Sequence, residues 1–423
     1  MVCGLWTKSM FDLDKWQEIL GTLRKNKLRS FLTAFGVFWG IFMLVLLLGM
    51  GKGLQNGIYN RFGEGAKNSI FFFTGRTSVA HQGLAPGREI KFTNDDLTAI
   101  MREVNNIKII APRNRLFGEF TINYKKQNGS YQVFGSTDDF LLLNGERLNK
   151  GRLLNAMDAK EKRKVVILGE AAKKVLFGDQ NAIGEYVNIR GIYFKVVGIF
   201  NIKGNDGARR EERAYIPFST LQITFNQPNQ VQVMAMVGQN GIPAKQIEDK
   251  VKKVLAKRHK FSTDDSMALY VNNNETELNQ INGLFRGIEI FVWIVGIGTL
   301  IAGIVGVSNI MLIIVKERTR EIGVRKALGA TPFSIVSLIL QESIVITAFS
   351  GYLGLLAGAG LLDIIRYLLE SNGVELPFFA HPEVDLGVAI SATILLVLAG
   401  ALAGLVPALK AAHIKPIEAL RAD

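Results

Sequence analysis

The residue types that usually carry chemistry are sparse in this chain of 423 residues and badly spaced for it. The four histidines, His81, His259, His381 and His413, are scattered and share no ligand spacing, so a metal site is not expected. Cys3 is the only cysteine, which leaves no intrachain disulfide and requires any extramembrane domain to be held by its own core. The nearest approach to a phosphate-cradling loop is Gly49-Met50-Gly51-Lys52, which has the wrong spacing for G-x-x-x-x-G-K-[ST] and carries Gly53 after the lysine. Neither a nucleophile elbow nor a zinc-protease helix motif occurs. The expectation is a chain with no catalytic residues and no cofactor of its own.

What remains is charge in unusual places. Val315 to Pro332, VKERTREIGVRKALGATP, is a charged stretch wedged between two apolar runs far too long for a soluble core. Ile322, Val324, Ala327 and Leu328 recur at near-helical spacing among Arg320, Arg325 and Lys326, the pattern of a short surface helix with one apolar face. Gly329 is placed to stop that helix, and Thr331 followed by Pro332 supplies an N-cap and a first-turn proline for the next one. On pattern alone the stretch serves equally well as a partner's grip or as a solvated turn between membrane helices. Glu342, between Gln341 and Ser343, puts a carboxylate about two to three helical turns past Pro332. A lone charge inside a membrane costs a few kcal/mol and needs a partner. Glu342 reads either as a polar switch or, the weightier reading, as a residue shallow enough to meet water or the nearby Arg and Lys.

The elements that position these residues follow from hydropathy. The chain is 48% hydrophobic with a net charge of +13 and a positive mean hydropathy, which favours a membrane protein over a soluble basic one. Its basic residues neither form a base-reading motif nor interleave with stacking aromatics, so nucleic acid is not an expected partner. A helix needs roughly 20 apolar residues to cross the hydrocarbon, and four stretches qualify: 31–52, 289–315, 334–365 and 386–409. The first has no small-x-small cleavage site after it and reads as an uncleaved anchor. Arg24, Lys25, Lys27 and Arg29 precede it, Lys316 to Lys326 separate the second and third spans, and Lys410 and Lys415 follow the fourth, which places both termini in the cytoplasm. Residues 1–30 should begin with a helix lying in the inner interface, carrying Trp16, Ile19, Leu20 and Leu23 on one face. Segment 316–333 is then a cytoplasmic connection, 366–385 a short one outside, and 410–423 a cytoplasmic tail.

Small residues recur within the spans as Gly36/Gly40, Gly354/Gly358 and Gly400/Gly404, with Ala302/Gly306 as a similar pair in the second. Such pairs let helix backbones approach where lipid offers no hydrophobic drive, and four of them point to a compact bundle and a dimer. Between the first two spans, residues 53–288 form one large outer domain, itself basic, with 33 Lys and Arg against 23 Asp and Glu from Gly53 to Phe285. Lys164 to Leu168 and Tyr186 to Phe200, with a turn at Asn188 to Gly191, read as strands; Asn94 to Val104 and Ala244 to His259 read as helices. The fold class is therefore membrane α-helical, with four transmembrane helices and a large α+β domain, of one or two lobes, inserted between helices 1 and 2.

These stretches closely resemble the permease subunits of the MacB family of ABC transporters, whose wider relatives include lipoprotein-releasing permeases and the FtsX division proteins. The resemblance rests on ILGTLRKNKLRSFLTAFGVFWGI, on VVILGEAAKKVLFGDQNAIGEYVNIRGIYFKVVGIF with YIPFSTLQ after it, on KERTREIGVRKALGA and on PALKAAHIKPIEALRAD, and so covers nearly the whole chain. It implies that the segment from Glu317 to Ala330 is the coupling helix that docks on a cytosolic ABC ATPase, with Glu317, Arg318, Arg320, Glu321, Gly323, Arg325 and Gly329 as the positions carried over. Because only about thirty residues precede the first span, the family resemblance further implies an ATPase on a separate chain, which would bind the ATP and Mg. It implies a permease of the bacterial inner membrane that works by mechanotransmission, acts as a homodimer or heterodimer among membrane lipid, and drives efflux or export of a drug, peptide or similar cargo with a periplasmic adaptor and an outer-membrane duct. A lipoprotein-releasing permease and an FtsX-like regulator of a cell-wall hydrolase share the topology and stand as alternatives.

Overall fold

The computed structural model describes residues 27–61, 67–118, 121–202, 210–372, 376 and 378–416. Most of the expected interfacial segment and the last residues of the C-terminal tail lie outside them. The chain forms two compact units: Ile58–Leu284, and a second unit built from the stretches before and after it.

The first apolar run forms α1 (Lys27–Arg61). The inserted domain begins with β1 (Ser69–Thr74), α2 (Asn94–Glu103), β2 (Ile107–Arg115), β3 (Thr121–Tyr124), β4 (Gln127–Ser130), β5 (Gln132–Ser136) and α3 (Asp138–Leu143). It continues through β6 (Arg147–Gly151), α4 (Ala156–Lys160), β7 (Val165–Gly169), α5 (Glu170–Phe177), β8 (Tyr186–Ile189), β9 (Ile192–Asn201), β10 (Arg213–Pro217), α6 (Phe218–Thr224), β11 (Val233–Gly238), α7 (Ala244–His259) and β12 (Leu269–Asn273). Among the described residues the twelve strands form one mixed sheet in the order β12-β1-β11-β2-β5-β10-β7-β9-β8-β3-β4, with β6 paired to β9. Strands β5/β10 and β7/β9 run parallel, and the other pairs are antiparallel.

Sequence pattern explains the strand positions. VVILG in β7 is apolar throughout and is buried throughout, as a strand covered on both faces requires. β9 instead alternates at its start, with Tyr193 and Lys195 outward and Phe194 and Val196 inward. The expected turn joins β8 to β9: Arg190 and Gly191 both have positive φ (51° and 85°), as a two-residue hairpin loop demands, and the Gly191 N–H donates to Asn188 Oδ1 at 2.8 Å.

Among the described residues four buried clusters pack on this sheet, and the two largest occupy its two halves. Phe72, Phe92, Ile100, Met234, Val251 and Leu255 pack between the β1–β11 end and helices α2 and α7. Val166, Leu168, Phe194, Ile216 and Leu221 fill the other half under α5 and α6. The first core is fastened by the fully buried Asp96, which caps α2 through the Thr93 N–H (2.8 Å) and accepts from Arg258 Nε (2.5 Å) and the His259 ring (2.9 Å) of α7. Burial alone would raise its pKa, but the hydrogen bonds from His259, Arg258 and Thr93 prevail and hold it at about 2.

The membrane unit contains α8 (Asn274–Glu317) from residue 285 onward, α9 (Thr319–Ala327), α10 (Pro332–Ser371) and α11 (Leu386–Ala412). Among the described residues four helices, α1, α8, α10 and α11, are long and apolar enough to cross a membrane. All four outrun the expected spans: α1 runs on past 52 to Arg61, α8 begins fifteen residues before 289, α10 continues to Ser371, into the connection expected at 366–385, and α11 ends at Ala412. Hydropathy marks where a helix leaves hydrocarbon, and the polar turns at Asn274–Glu289 and Asp363–Ser371 continue the helix beyond that point. The remaining connection folds against α1, where the Ala380 N–H donates to the Gly53 carbonyl at 3.0 Å and Asn56 Nδ2 donates to the His381 carbonyl at 3.1 Å.

Candidate coupling site

The charged stretch singled out by spacing folds as a bent continuation of α8. At Arg318 the backbone leaves helical geometry (φ −96°, ψ 12°), yet its N–H still reaches the Ile314 carbonyl and its carbonyl accepts from the Ile322 N–H, both at 2.9 Å. The chain therefore turns a corner without losing its hydrogen-bond ladder, and Thr319 Oγ1 donates to the Val315 carbonyl at 3.0 Å on the way. The far end closes as expected. Gly329 sits at φ +99°, its N–H donates to the Lys326 carbonyl, and the Ala330 N–H donates to the Arg325 carbonyl at 3.0 Å. This pair of bonds is the Schellman stop, which needs a residue free to take a left-handed backbone. Thr331 then caps α10 by accepting from the Ser334 N–H, and Pro332 occupies its first turn.

The apolar face expected on α9 is divided. Ile322 is buried with Met311, Ile314, Ile335 and Ile339, and Gly323 is buried beside it. Val324, Ala327 and Leu328 are exposed, Leu328 to 84%, and Phe333 at the start of α10 is exposed to 69%. One apolar residue anchors the helix while the others remain available. Of the positions carried over from the resemblance, Arg318, Glu321 and Arg325 line one shallow pocket with Ile335, Leu338, Ile339 and Glu342. Within it Arg325 Nη2 donates to Glu321 Oε1 at 2.7 Å, one helical turn away. Glu317 and Arg320 lie on the exposed side.

Glu342 is buried, 3% exposed, and the Arg318 guanidinium lies 3.5 Å from its Oε2. Its partner is therefore a cation of the connection itself, so the bend at Arg318 and the start of α10 are tied by one ion pair. Spacing alone missed a second tie. Lys326 Nζ donates to the carbonyls of Ala412 and Ile414, at 2.6 and 2.8 Å, at the end of α11. The sequence marks Lys326 only as one basic residue among several.

The span glycines are unequal. A β-carbon added at Gly354 would lie 2.5 Å from the Phe38 carbonyl oxygen, and one at Gly358 would lie 3.0 Å from the Val45 side chain, so α10 meets α1 with little between the backbones. Gly400 and Gly404 of α11 bear in the same way on Thr347 and Ser343 of α10. Gly36 and Gly40 face α8 at ordinary contact distance, 3.7 and 3.5 Å. In α8 itself the close residues are Gly296, against Leu44, and Gly303, against Val37, whereas Gly306 faces open space; the pair read at Ala302 and Gly306 is on the wrong side of its helix.

A helix docked beneath four spans, with a large mixed-sheet domain inserted after the first, has a known counterpart. The family model for the MacB-like periplasmic core domain matches residues 30–254, and the FtsX-like permease C-terminal model matches residues 293–416. The chain belongs to the MacB-like family of ABC transporter permeases. Its inserted domain is that family's periplasmic domain, and its four apolar helices mark a multi-pass protein of the bacterial inner membrane. The macrolide export ATP-binding/permease protein MacB of Bdellovibrio bacteriovorus is 28% identical over 402 residues, 95% of this chain and 60% of its own length. Its counterpart in Chlorobaculum tepidum is 29% identical, again over 95% of this chain and 60% of that protein, so the chain spans about three fifths of these relatives. The uncharacterized ABC transporter permease YvrN of Bacillus subtilis is 28% identical over 94% of this chain and 96% of its own length. Among solved structures, the periplasmic region of MacB from Actinobacillus actinomycetemcomitans aligns at TM-score 0.42 and 18% identity, over 51% of this chain and 92% of that one.

Proposed function

We propose that this chain is the membrane subunit of an ATP-driven exporter and passes work from a cytosolic ABC ATPase, carried on another chain, to its periplasmic domain. The observation that supports this most directly is α9: a short helix anchored by Ile322 and tied by Arg318, with Val324, Leu328 and Phe333 exposed beside Arg320. An exposed apolar cluster ringed by charge marks a protein-binding surface, and in this orientation both termini and α9 face the cytoplasm. YvrN, named as a permease and matched over 96% of its length, supports an ATPase supplied in trans. ATP and Mg are then held by that subunit.

In this reading, closure of the ATPase pair displaces α9, α9 moves the spans, and the spans move the periplasmic domains of two permease copies packed together in the lipid. Efflux is the direction supported by the macrolide export proteins among the relatives, with a periplasmic adaptor and an outer-membrane duct completing the path and a drug, peptide or similar molecule as cargo.

Charge reversal at Arg320 together with Leu328→Asp tests the reading. From mild detergent the unaltered protein should co-purify with an ATPase, and the double variant should lose that ATPase while still eluting as a single monodisperse peak. Retention of the ATPase by the variant would sink the assignment of α9 as the docking element. A lipoprotein or a cell-wall hydrolase among the co-purifying proteins, with no adaptor or duct, would overturn efflux as the outcome.

A further inference from the structure

The last carbonyls of a helix have no partner within it and are normally left to water or to a cap. At the end of α11 the carbonyl of Leu409 lies 2.7 Å from His413 Nδ1, a local cap supplied by the helix itself. The carbonyls of Ala412 and Ile414 are taken by a residue 86 and 88 positions away, Lys326, in the last turn of α9. A cation at a helix C-terminus is favoured by the helix dipole as well as by the hydrogen bonds. Both bonds are short, and the ammonium bridges the carbonyls on either side of His413, so the grip has direction as well as charge.

The other end of α9 is held differently. Arg318 reaches Glu342 of α10, and Ile322 packs on Ile335 and Ile339 of the same helix. Helix α9 therefore grips two spans, α10 at its start and α11 at its end, and those spans bear on each other through Gly400 and Gly404.

Resting on the reading of α9 as the ATPase-docking helix, we propose that Lys326 is a positioning residue of the coupling machinery, which makes the cytoplasmic end of α11 follow α9. The Arg318–Glu342 pair does the same for α10. Without Lys326 a displacement of α9 reaches α10 and leaves α11 behind, so ATP hydrolysis continues while the span movement is incomplete. Lys326 faces carbonyls of its own chain, so its loss leaves the docking surface at Val324, Leu328 and Phe333 in place.

The test uses the full permease with its co-purifying ATPase in nanodiscs, after Cys3→Ser, with spin labels at Leu402 on α11 and Ile301 on α8, both exposed. The distance between the labels is measured with and without MgATP plus vanadate for the unaltered residue, Lys326→Met and Lys326→Arg. The ATP-dependent change seen with lysine should be lost in Lys326→Met and restored in Lys326→Arg, with ATPase co-purification equal in all three. Lys326→Gln, which keeps a donor without the charge, serves if Lys326→Met fails to fold, and should lose most of the change. A full distance change in Lys326→Met, or in Lys326→Gln where that stands in, would overturn the proposal, and so would loss of the ATPase from either, which would make Lys326 a docking contact. No ATP-dependent change with lysine in place would instead remove the parent reading.

Discussion

The two units of this protein fill their interiors in opposite ways. The periplasmic domain uses volume: Phe72, Phe92, Phe194 and Phe200 are fully buried on its sheet. The membrane unit uses absence of volume: Gly354 and Gly358 set α10 against α1, and Gly400 and Gly404 set α11 against α10. Water explains the difference. In the domain each buried aromatic ring gains from leaving solvent, whereas in lipid an apolar side chain gains nothing by turning inward, and close contact between backbones supplies the attraction instead. Damage should therefore be graded in the domain and abrupt among the spans.

Gly354→Leu should break the contrast open with the largest effect, because the added atoms meet backbone, the Phe38 carbonyl, which has nowhere to go. Size-exclusion chromatography of the detergent-solubilised variant should show little or no monodisperse protein. Phe72→Ala should cost about 3–5 kcal/mol, lowering the midpoint for proteolysis of the periplasmic domain by about 10 °C while the membrane unit stays intact.

Asp96→Asn comes next. The carboxyl is held at about 2, below its ordinary 3.8, so its contribution is present above pH 3.8 and is lost as pH falls towards 2. The variant should be about 2 kcal/mol less stable near neutrality, and thermal melts of the two proteins should converge between pH 4 and pH 2. Convergence above pH 5 would mean that the hydrogen bonds from His259 and Arg258 do not hold the charge. The smallest effect is expected at Gly306→Ala, where a β-carbon meets only open space; the melt should shift by no more than about 0.5 kcal/mol. If Gly306→Ala proves as damaging as Gly354→Leu, backbone proximity is not what the span glycines provide.

Much of this was legible beforehand because it depends on local signals. Gly329, Thr331 and Pro332 announced a stop and a start, Asn188 to Gly191 announced a hairpin, and Ala244–His259 was readable to the residue from its periodicity. Spacing also drew attention to Glu342 and the basic stretch before it. The rest depends on tertiary placement. The grip of Lys326 on α11 crosses 86 residues, and nothing near Lys326 distinguishes it from Arg320 or Arg325. The choice of Gly303 over Gly306 depends on which side of α8 meets α1, which a small-x-x-x-small pattern does not specify. The sheet places β11 between β1 and β2, a pairing no local pattern could reveal.

The stop at Gly329 and the cap at Thr331 also act as a phase setting. Only four residues, Leu328 to Thr331, separate α9 from α10, and their hydrogen bonds leave no slack. Each residue in a helix advances its face by about 100°. One residue inserted after Ser334, inside the first turn of α10, would keep the elbow and both helices whole yet turn the rest of α10 by that angle relative to α9, swinging Glu342 away from Arg318 and the small-residue face away from α1. In that short elbow the spacing of residues, more than their identity, decides which side of a span α9 addresses.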